Sequence, residues 1–374
     1  MKITLVTNAS ATSGVGKPVG VLQGGMRAAG HDVHVLNLNS RTSAIEQDGA
    51  VVKKISALPL GKPAFWLTAG RHLELPSTGI VHFTNQTLAF LARRAPARAV
   101  ITVWDLIEIR SPQIRFGGVV ARILHRGIPN AAHIITHSEA TAREVEEEYG
   151  IPRQRLTVVP PSLPSTLQYN PSLFDAEEGK RFLTDADLHE RPPVVLYVGS
   201  EHRRKNVRRL IEAFARVQRE VPEALFVKIG GAGVASGRQE LLDTIRAHGL
   251  ERHVRILNES NDTTLRFWYH AARVLVFPSL YEGFGFPPLE AMACGTPVVT
   301  SNRSSLPEVV GDAAVLVNPE DTNAIASAIL RVLRDANLRQ SLREKGLARA
   351  AQFTQERTIA ATLAVYERVL KNLR

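Results

Sequence analysis

Short runs of apolar, β-branched residues alternate with amphipathic stretches along most of the chain. Residues 3–7 form the first such run, which predicts a buried strand. From Pro18, apolar residues recur at steps of three and four, which predicts a helix that ends near Gly30. The apolar face of this helix comprises Val19, Leu22, Met26 and Ala29. Further strands are predicted at 33–38, 80–83, 99–103, 133–136, 194–198, 225–229, 274–277, 298–300 and 314–317.

Helical periodicity follows several of these runs, so the alternation is that of an α/β protein with parallel sheets. Helices are predicted after Ser138, after Asn206 as a capping residue, and at about 321–335, 338–351 and 355–371. Between 161 and 193 the periodicity fades into Pro- and Ser-rich sequence, which indicates a linker. The 374 residues suit two domains of roughly 150 residues each. We therefore expect an N-terminal domain at 1–165, a linker at 166–192 and a C-terminal domain at 193–353.

Composition and cysteine content exclude several classes of protein. Hydrophobic residues make up 44% of the chain, which fits two buried cores, but no run of about 20 apolar residues could span a bilayer. The short apolar start before Thr7 fits a strand better than a signal peptide, so we expect a cytoplasmic protein. The single cysteine, Cys294, excludes an internal disulfide and a cysteine-built metal site.

The net charge of +10, from 46 basic and 36 acidic residues, points to an anionic partner. Seven arginines lie between Arg93 and Arg126, against the two acids Asp105 and Glu108. A solvated basic surface, the anionic inner face of a membrane and a phosphorylated substrate all fit this density. Nucleic acid fits least, because no nucleic-acid motif is present and aromatic residues are few there. The sequence does not indicate an oligomeric state.

Two short motifs carry weak signals for anion or metal binding. Gly14 and Gly16 lie between the first strand and the first helix, where amides and the helix dipole favour an anion, although a simple tight turn also fits. The spacing matches neither a P-loop nor a full dinucleotide fingerprint. Asp185 and Asp187 could chelate a cation only on a rigid turn, so solvated charge is the favoured interpretation. No metal site is predicted.

The segment 278–299 is the most informative, because it holds two glutamates eight residues apart, Glu282 and Glu290. Glu282 follows a predicted strand in a glycine-rich turn, at the sheet edge where open α/β sheets bind ligands. Glu290 is expected in the first turn of the next helix, facing the same crevice; alternatively, it only complements the helix dipole. Gly283 and Gly285 let the backbone approach a ligand closely. The amides that could bind a ligand are those of Phe284, Gly285, Phe286 and Leu289.

This segment resembles the Glu-x7-Glu signature of the retaining glycosyltransferases of family 4. Other segments match in order, specifically over 194–318 and more weakly in the N-terminal half: 14–16, 81–85, 136–140, 197–199, 203–206, 230–233 and 304–314. The resemblance implies the GT-B fold, in which two Rossmann-like parallel-sheet domains face a central cleft. It also implies that the N-terminal domain binds the acceptor, that the C-terminal domain binds a nucleotide sugar, and that a helix at 354–374 packs back on the N-terminal domain.

The resemblance also implies roles for residues of the C-terminal domain. Glu282 would lie near the transferred sugar, Glu290 would bind the nucleotide ribose, and Lys205 would bind the diphosphate. The family's partner arginine, just after the strand glycine Gly199, falls here on Ser200, and both residues are expected at the donor site. Arg203 and Arg204 are the candidate substitutes, of which we favour Arg204.

In the N-terminal domain, the resemblance places Gly14 and Gly16 at the cleft. Trp104 and Asp105 stand where many members have His-Asp. Tryptophan cannot exchange a proton, so the histidine's role is vacant or moved, and Trp104 could stack on the acceptor.

The expected function is therefore retaining, metal-independent transfer of a hexose to a glycan, lipid-linked or small-molecule acceptor. The donor would be a GDP- or UDP-hexose, with mannose from GDP-mannose as the first candidate and glucose as another, and no cofactor is expected. A nucleotide-sugar epimerase on the same fold is an alternative that would need its own acid/base set. A non-catalytic basic binding module is the other.

Overall fold

The computed structural model describes residues 1–9, 16–38, 74–110, 117–190, 192–258 and 261–373. The chain forms two compact units, each built on one parallel sheet. Unit 1 comprises Met1–Ser162 together with Phe353–Arg374, and unit 2 comprises Leu163–Gln352.

Unit 1 contains six parallel strands in the order β2-β1-β3-β4-β5-β6. The strands are β1 (Lys2–Thr7), β2 (Asp32–Asn37), β3 (Ile80–Phe83), β4 (Ala99–Val103), β5 (His133–Thr136) and β6 (Leu156–Val158). The α-helices are α1 (Gly16–Ala28), α2 (Ile107–Arg110), α3 (Gly117–His125), α4 (Glu139–Tyr149) and, from the C-terminal end of the chain, α13 (Gln355–Lys371). Short 3₁₀ helices span Gln86–Arg94, Pro96–Arg98, Ile128–Asn130 and Arg153–Arg155.

Helix α13 completes the core of unit 1. Val365 and Tyr366 are buried in the cluster that contains Ile3 of β1 and Met26 of α1. A polar chain lies within this core: a 2.6 Å hydrogen bond joins the Tyr366 hydroxyl to Nδ1 of His82, whose Nε2 lies 2.7 Å from Oγ1 of Thr102. Since these groups are buried, the bonds offset the cost of removing them from water.

Unit 2 contains the strand order β12-β11-β10-β7-β8-β9, again all parallel. Its strands are β7 (Val194–Val198), β8 (Leu225–Ile229), β9 (Val254–Leu257), β10 (Ala272–Phe277), β11 (Val298–Ser301) and β12 (Val315–Val317). Its α-helices are α5 (Glu177–Asp185), α6 (Val207–Glu220), α7 (Ala235–Ala247), α8 (Asp262–Ala271), α9 (Phe286–Ala293), α10 (Leu306–Val310), α11 (Thr322–Arg334) and α12 (Ala336–Ala350). Arg203–Lys205 is a 3₁₀ turn.

The structure confirms the predicted α/β class and adds two strands that the pattern does not indicate. Strand β6 is only three residues long, and β9 is half-buried along its length, so neither produces a continuous apolar run. The predicted helical position of Ala29 is wrong, because α1 ends at Ala28 and Ala29 is exposed. Among the helices of the described ranges, none has both the length and the apolar character needed to cross a bilayer.

The prediction of a linker at 166–192 is also wrong, because this segment belongs to unit 2 and contains α5. Phe174 and Phe182 pack on Phe267 of α8, with ring centroids 6.1 and 5.0 Å apart. Two aromatic anchors among polar, Gly and Pro residues create no periodicity in the sequence. Their burial against another helix nevertheless holds the segment in the fold.

The buried histidines of unit 1 generate a prediction about acid stability. Burial, together with the charge of His137, lowers the pKa of His82 to about 3, against about 6.5 in the unfolded chain. Below pH 6.5 the unfolded state therefore gains a proton that the folded state does not bind until about pH 3. Each such histidine lowers the free energy of unfolding by about 2 kcal/mol between pH 7 and pH 5.

His82→Gln is expected to reduce the fall in unfolding free energy between pH 7 and pH 5 by about 2 kcal/mol, measured by denaturant unfolding at each pH. His133→Gln should act similarly, because burial first, then Arg368 and Arg155, lower the pKa of His133 to about 4. His34, whose side chain is 47% exposed on the edge strand, provides the control variant His34→Gln. A pH profile that neither buried-histidine variant alters would contradict the assignment.

Candidate active site

Glu282 lies in the loop between β10 and α9, at the carboxyl edge of the second sheet. Two neighbouring loops hold its backbone. The Glu282 N–H donates to Oγ of Ser304 at 3.1 Å, and Oγ of Ser305 donates to the Glu282 carbonyl at 3.0 Å. On the other side, the Leu280 N–H donates to the Arg204 carbonyl at 2.7 Å. Loops that follow β7, β10 and β11 therefore fix the position of this glutamate together.

The Glu282 carboxylate forms ion pairs with two cations from the 3₁₀ turn after β7. Lys205 Nζ lies 2.7 Å from Oε1, and an Arg204 guanidinium nitrogen lies 3.2 Å from Oε2. Glu282 is only 8% exposed. Burial acts to raise its pKa, but the charges of Lys205 and Arg204 outweigh burial and lower the pKa below its ordinary value. The carboxylate is therefore ionised at neutral pH, and the three predicted residues lie together.

The neighbouring Arg203 is directed elsewhere. Its Nε lies 3.7 Å from a carboxylate oxygen of Glu240, and its side chain is exposed. Arg204, in contrast, also donates to the Tyr281 carbonyl at 3.2 Å. Of the two arginines considered from the sequence, the structure places only Arg204 against Glu282.

Asn206 holds the cationic turn in place, although not as predicted. Its side chain makes no helix-capping hydrogen bond; instead, its amide group donates to the carbonyls of Pro278, at 3.1 Å, and Pro319, at 2.6 Å. The backbone of Asn206 is left-handed, with φ of 60°. Asparagine tolerates that conformation better than most residues, and its buried amide links the turn to the segment after β10.

Glu290 lies on α9 and is bonded to a buried tyrosine. The Tyr269 hydroxyl donates to Oε2 of Glu290 at 2.6 Å, and burial together with the Glu290 charge raises the pKa of Tyr269. Helix α9 begins at Phe286, so Glu290 is in its second turn, not in the first turn as predicted. The dipole effect fades beyond the first turn, which weakens the interpretation of Glu290 as a dipole partner only.

The turn between the two glutamates requires a glycine. Gly285 has φ of 119°, and a Cβ there would lie 2.7 Å from Cδ2 of Leu306. The side chains of Phe284 and Leu289 are buried, and Phe286 packs edge-on against Phe284. Gly283 is also buried. Burial of Phe284 and Leu289 therefore leaves little of these two side chains accessible to a ligand.

Gly199 and Ser200 form the turn at the carboxyl end of β7. Gly199 donates its N–H to the Ile229 carbonyl at 2.8 Å, and a Cβ at this position would lie 2.8 Å from the Tyr197 hydroxyl. That hydroxyl donates to the Ser200 carbonyl at 2.9 Å. The turn is therefore closely packed, with room for no side chain at Gly199.

A buried ion cluster beside this turn is absent from the sequence predictions. Glu201 is 4% exposed and pairs with Lys228, at 2.6 Å, and with Arg238, also at 2.6 Å. Lys228 donates in addition to the carbonyls of Gly230 and Gly231. A lysine inside a short strand gives no distinctive sequence signal. Here, however, the hydrogen bonds of Lys228 fix the glycine-rich loop after β8.

In unit 1, Gly14 lies outside the described residues, and Gly16 is the buried first residue of α1. Trp104 is 9% exposed, and its indole N–H donates to the Thr84 carbonyl at 2.9 Å. Little of its ring is therefore accessible for stacking on an acceptor. The Asp105 carboxylate accepts the Ile107 N–H at 3.0 Å at the start of α2.

His137 is a candidate site residue, which the sequence analysis included only as part of the matching segment 136–140. Its ring centroid lies 4.1 Å from that of Trp104, just after β5. Nδ1 donates to the Val159 carbonyl at 2.7 Å, and Nε2 has no hydrogen-bond partner in the described part of the chain. Burial lowers the pKa of His137 to about 4, so the ring is neutral and Nε2 can accept a hydrogen bond.

Asp185 and Asp187 do not form a chelating pair. Asp185 ends α5, whereas the carboxylate of Asp187 lies 3.2 Å from the Arg255 guanidinium. Across the ranges that the structure describes, no three histidine, cysteine, aspartate or glutamate side chains are grouped as metal ligands.

The described part of the basic stretch 93–126, which does not include Arg115, is partly neutralised. Arg110 and Arg122 pair with Glu147 and Glu148 of α4, and Arg98 donates to two backbone carbonyls. Arg126 is exposed. Helix α3 within this stretch also exposes three apolar side chains: Val119, Val120 and Ile123.

Comparison with known proteins assigns the class. Residues 181–349 match the family described as Glycosyl transferases group 1, and residues 13–162 match the Glycosyl transferase 4-like domain. O-antigen chain mannosyltransferase B of Escherichia coli is 33% identical over 72% of this chain and 70% of its own length. The chain belongs to glycosyltransferase family 4.

Other comparisons support the fold. The chain is 27% identical to the serotype-specific mannosyltransferase WbdA of Escherichia coli but spans only 36% of that protein's length. The structure of sucrose-phosphate synthase from Thermosynechococcus elongatus superposes with a TM-score of 0.82 at 21% identity, covering both chains completely. The GT-B fold predicted from the resemblance is therefore confirmed.

Proposed function

We propose that the protein is a retaining, metal-independent mannosyltransferase that uses GDP-mannose and extends a glycan or lipid-linked acceptor. The observation that carries this proposal is the buried Glu282 carboxylate with Lys205 and Arg204 within 3.2 Å. The mannose donor is supported by relatives named as mannosyltransferases, among them the MMP alpha-(1->4)-mannosyltransferase of Mycolicibacterium hassiacum, which is 31% identical. Family membership favours this function over an epimerase or a binding module.

Lys205 and Arg204 are proposed to bind the diphosphate of the donor. A nucleoside diphosphate leaves with increasing negative charge, and cations held in place before the reaction stabilise that charge. The two side chains already lie around one carboxylate, so phosphate oxygens can share these two cations with Glu282 without rearrangement of the turn. In this arrangement Glu282 lies beside the diphosphate. Because the transferred sugar is attached to the diphosphate, Glu282 also lies beside the sugar.

The ionisation of Glu282 restricts its role. Because its pKa is lowered, Glu282 carries no proton to donate at neutral pH and is not a general acid. A carboxylate can instead stabilise positive charge at the anomeric carbon, or attack it. With retention of configuration, the departing phosphate can accept the proton of the acceptor hydroxyl. Glu290, held by Tyr269, is proposed to bind the ribose hydroxyls.

Substitution of the two glutamates tests the site. Glu282→Gln should lower turnover by roughly 10²-fold and change donor affinity little, because the charge acts in the transition state. Glu290→Gln should weaken donor binding by about 1–3 kcal/mol, because a ribose hydrogen bond is made in ground and transition states alike. Calorimetric donor titration and transfer of labelled mannose measure the two effects.

Glu320, which makes an exposed ion pair with Arg303 in the same unit, provides the control variant Glu320→Gln. Wild-type turnover in Glu282→Gln would refute the catalytic assignment. A lower melting temperature with unchanged donor affinity in Glu290→Gln would show a structural role only. Transfer from UDP-glucose in preference to GDP-mannose would refute the donor while leaving the site intact.

Metal independence is tested through Lys205. Lys205→Ala should weaken donor binding and slow transfer, because one of the two cations that face the diphosphate is lost. Wild-type transfer should be unchanged after treatment with a chelator. Lys180, exposed on α5, gives the control variant Lys180→Ala. Transfer abolished by the chelator and restored by a divalent ion would refute metal independence.

We also propose that α3 of unit 1 lies on an anionic membrane. Val119 is 61% exposed, and Val120 and Ile123 are also exposed, beside the cationic Arg122 and Arg126. Exposed apolar side chains flanked by arginines are typical of helices that bind at a membrane interface. The arginine pairs with Glu147 and Glu148 reduce the free charge, so apolar insertion contributes together with electrostatic attraction.

The membrane proposal predicts pelleting with phosphatidylglycerol vesicles at low salt and release at high salt, because screening weakens the electrostatic part. The double variant Val119→Glu/Ile123→Glu should abolish pelleting. Leu316→Glu, at an exposed apolar residue of unit 2, should not. Pelleting that is absent at all salt concentrations, or equal in the double variant, would contradict the proposal.

A further inference from the structure

Unit 2 contains a cavity of about 220 Å³ at the amino edge of its sheet. Val194 and Ala272, the first residues of β7 and β10, contribute to its wall. Glu282 follows the opposite end of β10. Six strand residues at about 3.3 Å each separate the two edges by roughly 20 Å. The cavity is therefore distinct from the candidate active site.

Three arginines converge on this cavity: Arg273, Arg339 and Arg343. No carboxylate of the described chain forms an ion pair with any of them, and the described cavity lining contains no acidic residue. Asp335 acts on Arg339 only at longer range. Three like charges thus line one cavity with no carboxylate of the described ranges in ion-pair contact, and a bound anion would reduce their mutual repulsion.

The fold holds two of these guanidinium groups in place without neutralising them. Arg339 donates to the carbonyls of Val332 and Leu333, at 2.9 and 2.7 Å. Arg343 donates to the Gly295 carbonyl at 3.0 Å. Partial burial and the charge of Arg273 lower the pKa of Arg339. Backbone acceptors orient the groups, and their charge remains available to a ligand.

The cavity lining also includes the apolar side chains of Phe174, Leu183 and Leu188. A ligand that matches this mixed lining carries a compact multiple charge and an organic group. A phosphate monoester has about two negative charges and three acceptor oxygens, which match several guanidinium groups better than a single carboxylate does.

We propose that this cavity is a second binding site of the protein, specific for a phosphate monoester. The phosphoryl group binds between Arg273, Arg339 and Arg343, and the organic group packs on the apolar lining residues. The ligand is either a free phosphorylated small molecule or the headgroup of a phospholipid. The proposal is independent of the donor site and of the transfer reaction.

Calorimetric titration with phenyl phosphate tests the proposal, using Lys205→Ala protein so that phosphate binding at the donor site is weakened. Saturable binding is expected, with inorganic phosphate weaker because it lacks the organic group. Arg273→Glu should weaken phenyl phosphate binding at least tenfold, because it reverses one of the three charges. Arg252→Glu is the matched control, since Arg252 is exposed in the same unit and does not line the cavity.

Absence of saturable binding, or equal losses in Arg273→Glu and Arg252→Glu, would overturn the proposal. Phosphatidic acid vesicles, tested with the Val119→Glu/Ile123→Glu variant, distinguish the two sources. Capture that depends on Arg273 identifies a headgroup, whereas binding of phenyl phosphate without capture identifies a free ligand. Glu282→Gln should retain phenyl phosphate binding, so failure of the transferase assignment would not be confused with failure of this one.

Discussion

A buried carboxylate must be paired, and the candidate active site is arranged around that requirement. Glu282 is almost fully removed from water, which on its own would favour the neutral acid. Lys205 and Arg204 reverse the balance and keep it ionised. Breaking such a pair leaves an uncompensated charge in the protein, so the three side chains constrain one another. A donor diphosphate is the kind of ligand that could share these cations with the carboxylate.

The parallel sheet makes this arrangement geometrically feasible. All strands of unit 2 run in one direction, so the loops after β7, β10 and β11 emerge at the same edge. Asn206, in the loop after β7, donates a hydrogen bond to Pro278 in the loop after β10. Ser304 and Ser305, in the loop after β11, form hydrogen bonds with the backbone of Glu282. These bonds use backbone carbonyls and amides that would otherwise be unsatisfied in the interior. Precise positioning of Glu282 is therefore a property of several loops, each of which is short.

The positive charge of the chain has three different structural settings. In unit 1, much of the basic stretch 93–126 is committed to ion pairs and carbonyls, and exposed apolar residues of α3 lie beside what remains. At the carboxyl edge of the second sheet, two cations share Glu282. At its amino edge, Arg273, Arg339 and Arg343 surround a cavity without a carboxylate partner. Net charge alone does not separate these settings, because it does not tell which charges are already paired.

Sequence alone determined the features that are local in the chain. The alternation of apolar runs and helical periodicity predicted the α/β class, since side-chain spacing reports secondary structure directly. Gly285 was identifiable as a residue whose amide a ligand could approach, whereas the steric need for glycine there was visible only in the structure. Glu282 and Glu290 were identifiable as candidates from their spacing and from the family resemblance.

Tertiary structure decided what depends on contacts between distant segments. The pattern could not show that Arg204, not Arg203, reaches Glu282, because adjacent residues in a tight turn point in different directions. The sequence pattern also wrongly indicated a linker at 166–192. Phe174 and Phe182 hold this segment in the fold only because they pack on Phe267 of α8, a contact that the pattern does not show. The cavity at the amino edge of the second sheet is lined by arginines from β10 and α12 that are more than 60 positions apart in the sequence. Local patterns carry no information about such encounters, because the fold brings the groups together only after the sheets and helices have packed.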